Sequence, residues 1–190
     1  MFHFENLFRN QFFSLEKSTA KDKNGYFYRL IEPDSVLIIP FDRMGNVYLV
    51  EQYRPVMEER TLEFPAGAID KAETPSVAAS REVLEETGMI CHTLLAVSGS
   101  MYCLPNRVKS KVYIYVALVE NEGAESPLVE TSVRVCERQT LSAHISSGLF
   151  KQVAGLGGLY LANKLFGLNI LSVDTKTLLG AFEEVRQSQC

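Results

Sequence analysis

The chain has 190 residues, 46% of them hydrophobic and 22% charged, which fits one globular domain with or without extensions and excludes a disordered composition. Its 23 acids against 19 bases leave a net charge of −4, which excludes a broad basic surface for nucleic acid but not a small anionic ligand. The longest purely apolar run, Val112 to Val119, is too short to cross a bilayer, and the charge-broken start Met1-Phe-His-Phe-Glu5 lacks the apolar stretch of a secretory leader. The reading is a cytoplasmic protein with no nucleic-acid or membrane partner. Cys91, Cys103, Cys136 and Cys190 show no metal-site spacing, and His92 beside Cys91 is an isolated pair.

In chain order, residues 11–32 mix strand formers with the polar turn Lys21-Asp-Lys-Asn-Gly25, which predicts a hairpin-like N-terminal β extension over residues 1–34. Ser35 to Phe41 reads as a buried strand. The turn Asp42 to Asn46 and a return strand Val47 to Arg54 complete a hairpin. Thr61 to Phe64 is a short strand stopped by Pro65-Ala66-Gly67. A helix then follows Thr74 as N-cap, with Pro75 at the first helical position and Gly88 as the stop. Val112 to Val119 predicts a central strand, and an acidic loop runs from Glu120 to Glu125. Apolar residues at helical spacing (Leu141 and Ile145, then Phe150 to Phe166, then Leu178, Leu179, Phe182 and Val185) make the last third helical. This order predicts an α+β chain, with residues 35–190 as the main domain.

The chemistry concentrates on the helix after Thr74. At about 100° per residue, Glu82, Glu85 and Glu86 share a face roughly 100° wide. Val77 and Leu84 fall opposite, where a core is expected, and Ala78 and Ala79 lie on the acidic side. Like charges at these spacings destabilise a helix unless something offsets them, and a divalent cation held by oxygen ligands does so. Between Gly67 and Met89 there are five acids and two bases, net −3, so most of the chain's negative charge sits in this stretch.

Gly67, five residues, Glu73, seven residues, then Arg81-Glu82-Val83-Leu84-Glu85-Glu86-Thr87-Gly88-Met89 fill every position of G-x5-E-x7-R-E-U-x-E-E-x-G-U, where U is aliphatic. At average residue usage the chance of this in one such chain is on the order of 10⁻⁸ to 10⁻⁷. The pattern resembles the box of the Nudix hydrolases. That resemblance implies an α/β/α sandwich, a mixed sheet flanked by helices, and Mg²⁺- or Mn²⁺-dependent cleavage of a phosphoanhydride. It also implies Glu82 and Glu86 as metal ligands, Glu85 as a further ligand or base, and Arg81 as the arginine that orients them, paired with Glu73. Gly67, Glu73 and Gly88 would shape the box.

Val50-Glu-Gln-Tyr-Arg54 and Leu62-Glu-Phe-Pro-Ala-Gly67 resemble segments of the ADP-ribose pyrophosphatases and related nucleotide-sugar hydrolases, as does Pro105, 16 residues after Met89. This implies a metal contact from Ala66, substrate contacts from Arg54, Glu63 and Arg107, a nucleoside diphosphate sugar as substrate and a homodimer. The segment departs from that subgroup where Asn106 replaces a Gly and Ser110 stands in place of a Glu, so the base is Glu85 or an acid among Glu120, Glu122 and Glu125. GDP-mannose or UDP-glucose as substrate, and a nucleotide-sensing module without turnover, are the rival readings. Gly155-Leu-Gly-Gly-Leu-Tyr160 is no dinucleotide loop, because Tyr160 takes the third glycine position; its glycines read as close helix packing.

Overall fold

In the computed structural model, which describes residues 2–22, 25–121 and 132–189, the chain opens with strands β1 (Phe4–Arg9), β2 (Ser14–Asp22) and β3 (Gly25–Ile31). Strands β4 (Ser35–Phe41), β5 (Asn46–Arg54), β6 (Glu59–Glu63) and β7 (Ala66–Ala68) follow, then helix α1 (Pro75–Thr87). Strands β8 (Ile90–Ala96), β9 (Val108–Lys109), β10 (Val112–Glu120) and β11 (Ser132–Glu137) lead to helices α2 (Arg138–Ser146), α3 (Val153–Phe166) and α4 (Thr175–Gln189). Residues 23–24 of the first expected turn, together with Glu122 and Glu125, lie outside the described residues.

The central sheet runs β11-β5-β4-β10-β8. β4 and β10 pair in parallel from Ser35↔Val112 to Phe41↔Leu118, and both read as near-continuous apolar runs because both faces are covered. Alternation divides their side chains. Val36, Ile38, Ala117 and Val119 pack with Ala78, Ala79 and Val83 of α1 on one face. Leu37, Ile39, Phe41, Ile114, Val116 and Leu118 join Leu141, Leu159, Phe166, Leu178 and Phe182 of the three C-terminal helices on the other. The result is the three-layer α/β/α sandwich.

The N-terminal segment forms its own sheet, ordered β1-β2-β3-β9. The hairpin of β2 and β3 is present, but β1 adds a strand that charged Glu5 and Arg9 conceal in the sequence. Strands β8, β9 and β11 also add to the expected set; β8 and β11 pair antiparallel with β10 and β5, and β9 pairs in parallel with β3.

The expected hairpin of β4 and β5 is corrected. The two strands pair only at Phe41↔Val47, beside their turn, and then part. β6 pairs with the half of β5 away from the turn, and β7 pairs with the half of β4 away from it, Ser35 to Leu37. Pro65-Ala66-Gly67 therefore does not end strand structure: it carries the chain from one arm of this fork to the other, with Ile38 N donating to Pro65 O at 2.9 Å.

Candidate active site

The punctuation of α1 is as expected. Thr74 Oγ1 accepts from Val77 N at 3.4 Å, and Gly88 takes a left-handed φ of 70° with its N–H bonded to Leu84 O. The buried face is not as expected. Val77 and Leu84 are 56% and 41% exposed, whereas Glu82 and Glu86 are 9% and 8% exposed beside fully buried Ala78, Ala79 and Val83. The small alanines let the helix approach β4 closely, and that approach carries the carboxylates inward with it.

Burial pushes both carboxyls upward. Glu82 lies above its ordinary range, only partly restrained by Arg81. Glu86 is raised to about 7 by burial, against the pull of a backbone hydrogen bond from Ala66 N (3.1 Å) and with a further push from the charge of Glu82. Gly67 explains how Glu82 fits: a Cβ there would overlap the Glu82 carboxylate, so only glycine leaves the space.

Arg81 organises the other side. Its Nε and Nη2 donate to the two oxygens of Glu73 at 3.0 and 2.9 Å, and Nη2 also donates to Ala68 O. Nη1 reaches Glu82 at 2.7 Å and Glu85 at 3.1 Å. One guanidinium thus ties the loop before the helix to two of its carboxylates, and the partners in turn raise its affinity for the proton, Glu73 most. Glu85 stays partly exposed and shares Arg81 Nη1 with Glu82.

Arg54 and Glu63 face each other across β5 and β6. Arg54 Nε and Nη2 donate to the two Glu63 oxygens at 2.9 and 2.6 Å, and Thr61 Oγ1 donates to Glu63 at 2.6 Å. Burial would push the Glu63 carboxyl up, but these bonds outweigh it and hold it below the ordinary range. Glu63, 8% exposed, is therefore the holder of Arg54. Arg54 is close enough to Glu86 for each to stabilise the other's charged form. A cavity of about 540 Å³ joins Arg54, Ala66, Gly67 and Ala68 to Ser110, with Phe12 and Phe13 of the N-terminal segment on its rim. Ser110 thus reaches the same space as the box, offering a hydroxyl there.

Arg107 is elsewhere. It lines a separate cavity of about 580 Å³ with Phe2, Phe27, Tyr28 and Tyr102, so within one chain it does not meet Arg54 and the box. Glu120 is also elsewhere: β10 carries it past the Phe41 end of the sheet, where it pairs with Arg43 and with His92 Nε2 at 3.2 Å. Gln152, which no local pattern singled out, lines a neighbouring cavity with Arg54 and Glu63, Arg54 being common to both cavities; it is 88 residues from its partner Phe64.

The donors suit a hard divalent cation. Among the described residues no three carboxylate, imidazole or thiol groups converge on one point. Glu82 and Glu86 instead form a buried pair of oxygen donors beside the Ala66–Gly67 backbone. Two carboxylates, with backbone, water and substrate phosphate oxygens, are the usual company of Mg²⁺.

Comparisons with known proteins bear on the family and the fold. The family model described as NUDIX domain matches residues 32–147. The methanol dehydrogenase activator of Bacillus methanolicus is 30% identical over 116 residues, 60% of this chain and 62% of that protein. The ADP-ribose pyrophosphatase of Bacillus subtilis (strain 168) is 31% identical over 85 residues, 45% of each. The chain spans less than two thirds of the length of either relative. A crystal structure of an ADP compounds hydrolase superposes with a TM-score of 0.73 at 22% identity, covering 88% of this chain and 94% of that one, which is a likeness of fold.

Proposed function

The chain belongs to the NUDIX domain family, and from that premise we propose that it is a divalent-metal-dependent hydrolase of ADP-ribose or a related nucleoside diphosphate sugar, releasing a nucleoside monophosphate and a sugar phosphate. The observation that carries this reading is the pair Glu82 and Glu86, buried on α1 beside Gly67 and overlooked by Arg54. The names of relatives such as the Bacillus subtilis ADP-ribose pyrophosphatase support the choice of substrate class.

Glu82 and Glu86, with Ala66, would hold Mg²⁺ or Mn²⁺. Such a metal, when bound, neutralises the diphosphate and lowers the pKa of water. Arg54, locked by Glu63 through Nε and Nη2, presents Nη1 to a phosphate oxygen. Arg81, anchored on Glu73, keeps Glu82 and Glu85 in register. Water attacks one phosphorus, the bridging P–O bond breaks, and Glu85 accepts the proton. Residues 1–34 are a dimerising extension on the catalytic domain 35–190; exposed Leu7, Phe8 and Phe12 favour that role. Among the described residues no helix is long and apolar enough to cross a membrane.

The test is phosphate-ester release from a panel of ADP-ribose, GDP-mannose and UDP-glucose, with Mg²⁺ and with chelator, for wild type and Glu86→Gln. Turnover that needs Mg²⁺ and falls on the order of 10³-fold in Glu86→Gln is expected. No turnover on any member would sink the enzyme reading.

A further inference from the structure

We propose that Gln152 is the positioning residue that fixes the Glu63–Arg54 pair, and so sets how tightly a substrate phosphate is gripped; this rests on the hydrolase reading above.

Gln152 stands at the N-cap of α3, where a short polar side chain would bond the first turn of its own helix. Its side chain makes no such cap. It crosses instead to the fork of the central sheet. Oε1 accepts from Phe64 N at 3.0 Å, while Nε2 lies 3.4 Å from both Phe64 O and Glu63 Oε2. The amide therefore serves both backbone groups of Phe64, at the point where β6 gives way to β7, and braces the neighbouring carboxylate.

Glu63 would otherwise have one oxygen held only by Arg54. Its Oε1 accepts from Thr61 and from Arg54 Nε, and its Oε2 from Arg54 Nη2 and Gln152. With both oxygens engaged from both flanks, rotation of the carboxylate is resisted, and the guanidinium that bonds it through Nε and Nη2 is held in one orientation. Arg54, Glu63 and Gln152 line one cavity of about 520 Å³, so the brace acts on a group that faces solvent and ligand.

The glycine-rich run Gly155-Leu-Gly-Gly158 gains a purpose from this. A Cβ on Gly155 would come 2.6 Å from Gln152 Oε1 and 2.9 Å from the rings of Phe64 and Phe150. Those rings pack edge to face at 5.1 Å, fixing the stretch of chain that Gln152 bonds. Gly155 is thus the room that lets Gln152 turn away from its own helix toward the fork.

Gln152→Met keeps the length of the side chain and removes its hydrogen bonds. With ADP-ribose and Mg²⁺, KM is expected to rise about tenfold while kcat stays within about twofold, since Arg54 binds phosphate before and during reaction. In an Arg54→Ala background the same change is expected to add less than twofold, because the residue acts through Arg54. Independently of turnover, the Arg54 Nε–H resonance, assigned by its loss in Arg54→Lys, should exchange with solvent several-fold faster in Gln152→Met than in wild type. An unchanged exchange rate, or a full tenfold effect that persists without Arg54, overturns the proposal. Faster exchange in a protein that turns over no nucleotide sugar leaves the brace standing and removes the hydrolase reading instead.

Discussion

Phe41 and Phe64, in the central sheet and its fork, are fully buried, whereas Phe2, Phe8, Phe12 and Phe27 of the N-terminal segment are all more than two fifths exposed. Both regions are built from strand-forming, aromatic-rich sequence. The central sheet has helices on both faces, and its core residues meet partners from the same chain. The N-terminal sheet has no helix packed on it among the described residues, and its aromatics face outward. The first region is closed by its own chain; the second leaves its aromatics exposed, which is what the proposed dimerising role rests on. The carboxylates of α1 belong to the closed region, where burial gives them their unusual chemistry.

That contrast can be broken at several points. The largest effect is expected from Gly67→Ala, which places a methyl where the Glu82 carboxylate lies. Displacing Glu82 by about an ångström should lower kcat on the order of 100-fold while leaving the N-terminal sheet unaltered, as steady-state kinetics and circular dichroism would reveal together. A kcat equal to wild type would mean that the close approach of Gly67 to Glu82 is dispensable.

Stability against pH gives a smaller effect. Glu86 has a folded-state value of about 7 against an ordinary 4.5, so the fold prefers its protonated form. Below about pH 4.5 the group is protonated folded or unfolded and imposes no penalty. As pH rises toward and through 7, stability is lost and then levels off. In metal-free protein, Glu86→Gln should therefore be more stable than wild type by about 1–3 kcal/mol at pH 8 and equal to it near pH 4.5. Denaturant titration at both pH values measures this, and saturating Mg²⁺ should narrow the gap by stabilising the wild type. The smallest effect on folding is expected in the open region. Leu7→Ser combined with Phe8→Ser should change chain stability by about 0.5 kcal/mol or less while sedimentation shifts from dimer to monomer. A large loss of stability without a change in mass would show that these side chains serve their own chain.

Much of this was legible in the sequence. Thr74, Pro75 and Gly88 mark the ends of α1 because capping chemistry is local, and the Ser35–Phe41 run marks a strand covered on both faces. The buried face of α1 was not legible. A rule that sends aliphatic residues inward puts Val77 and Leu84 in the core, but two alanines and a valine supply enough apolar surface for close packing and take Glu82 and Glu86 in with them. β11 was missed although Val133 and Val135 alternate with polar residues, a period-two signal in a stretch read only as the prelude to helices. The family resemblance carried by the box implied the pairing of Arg81 with Glu73, and the guanidinium does bond both Glu73 oxygens. Gln152 had no such signal, since its partners are set by the packing of α3 against the fork rather than by anything near it in sequence.

The parting of β4 and β5 gives the site two arms. One arm, β5 with β6, carries Arg54 and Glu63; the other, β4 with β7, receives α1 and its carboxylates. Each arm has its own ladder of hydrogen bonds; the strands β4 and β5 pair at Phe41↔Val47, the chain joins the arms through Pro65, and Arg54 of one feels the charge of Glu86 on the helix seated against the other. On the proposed hydrolase reading, substitutions on the first arm act mainly on how the substrate is held, and those on the second mainly on the carboxylates of α1. A scaffold divided this way lets selectivity drift while the chemistry stays fixed.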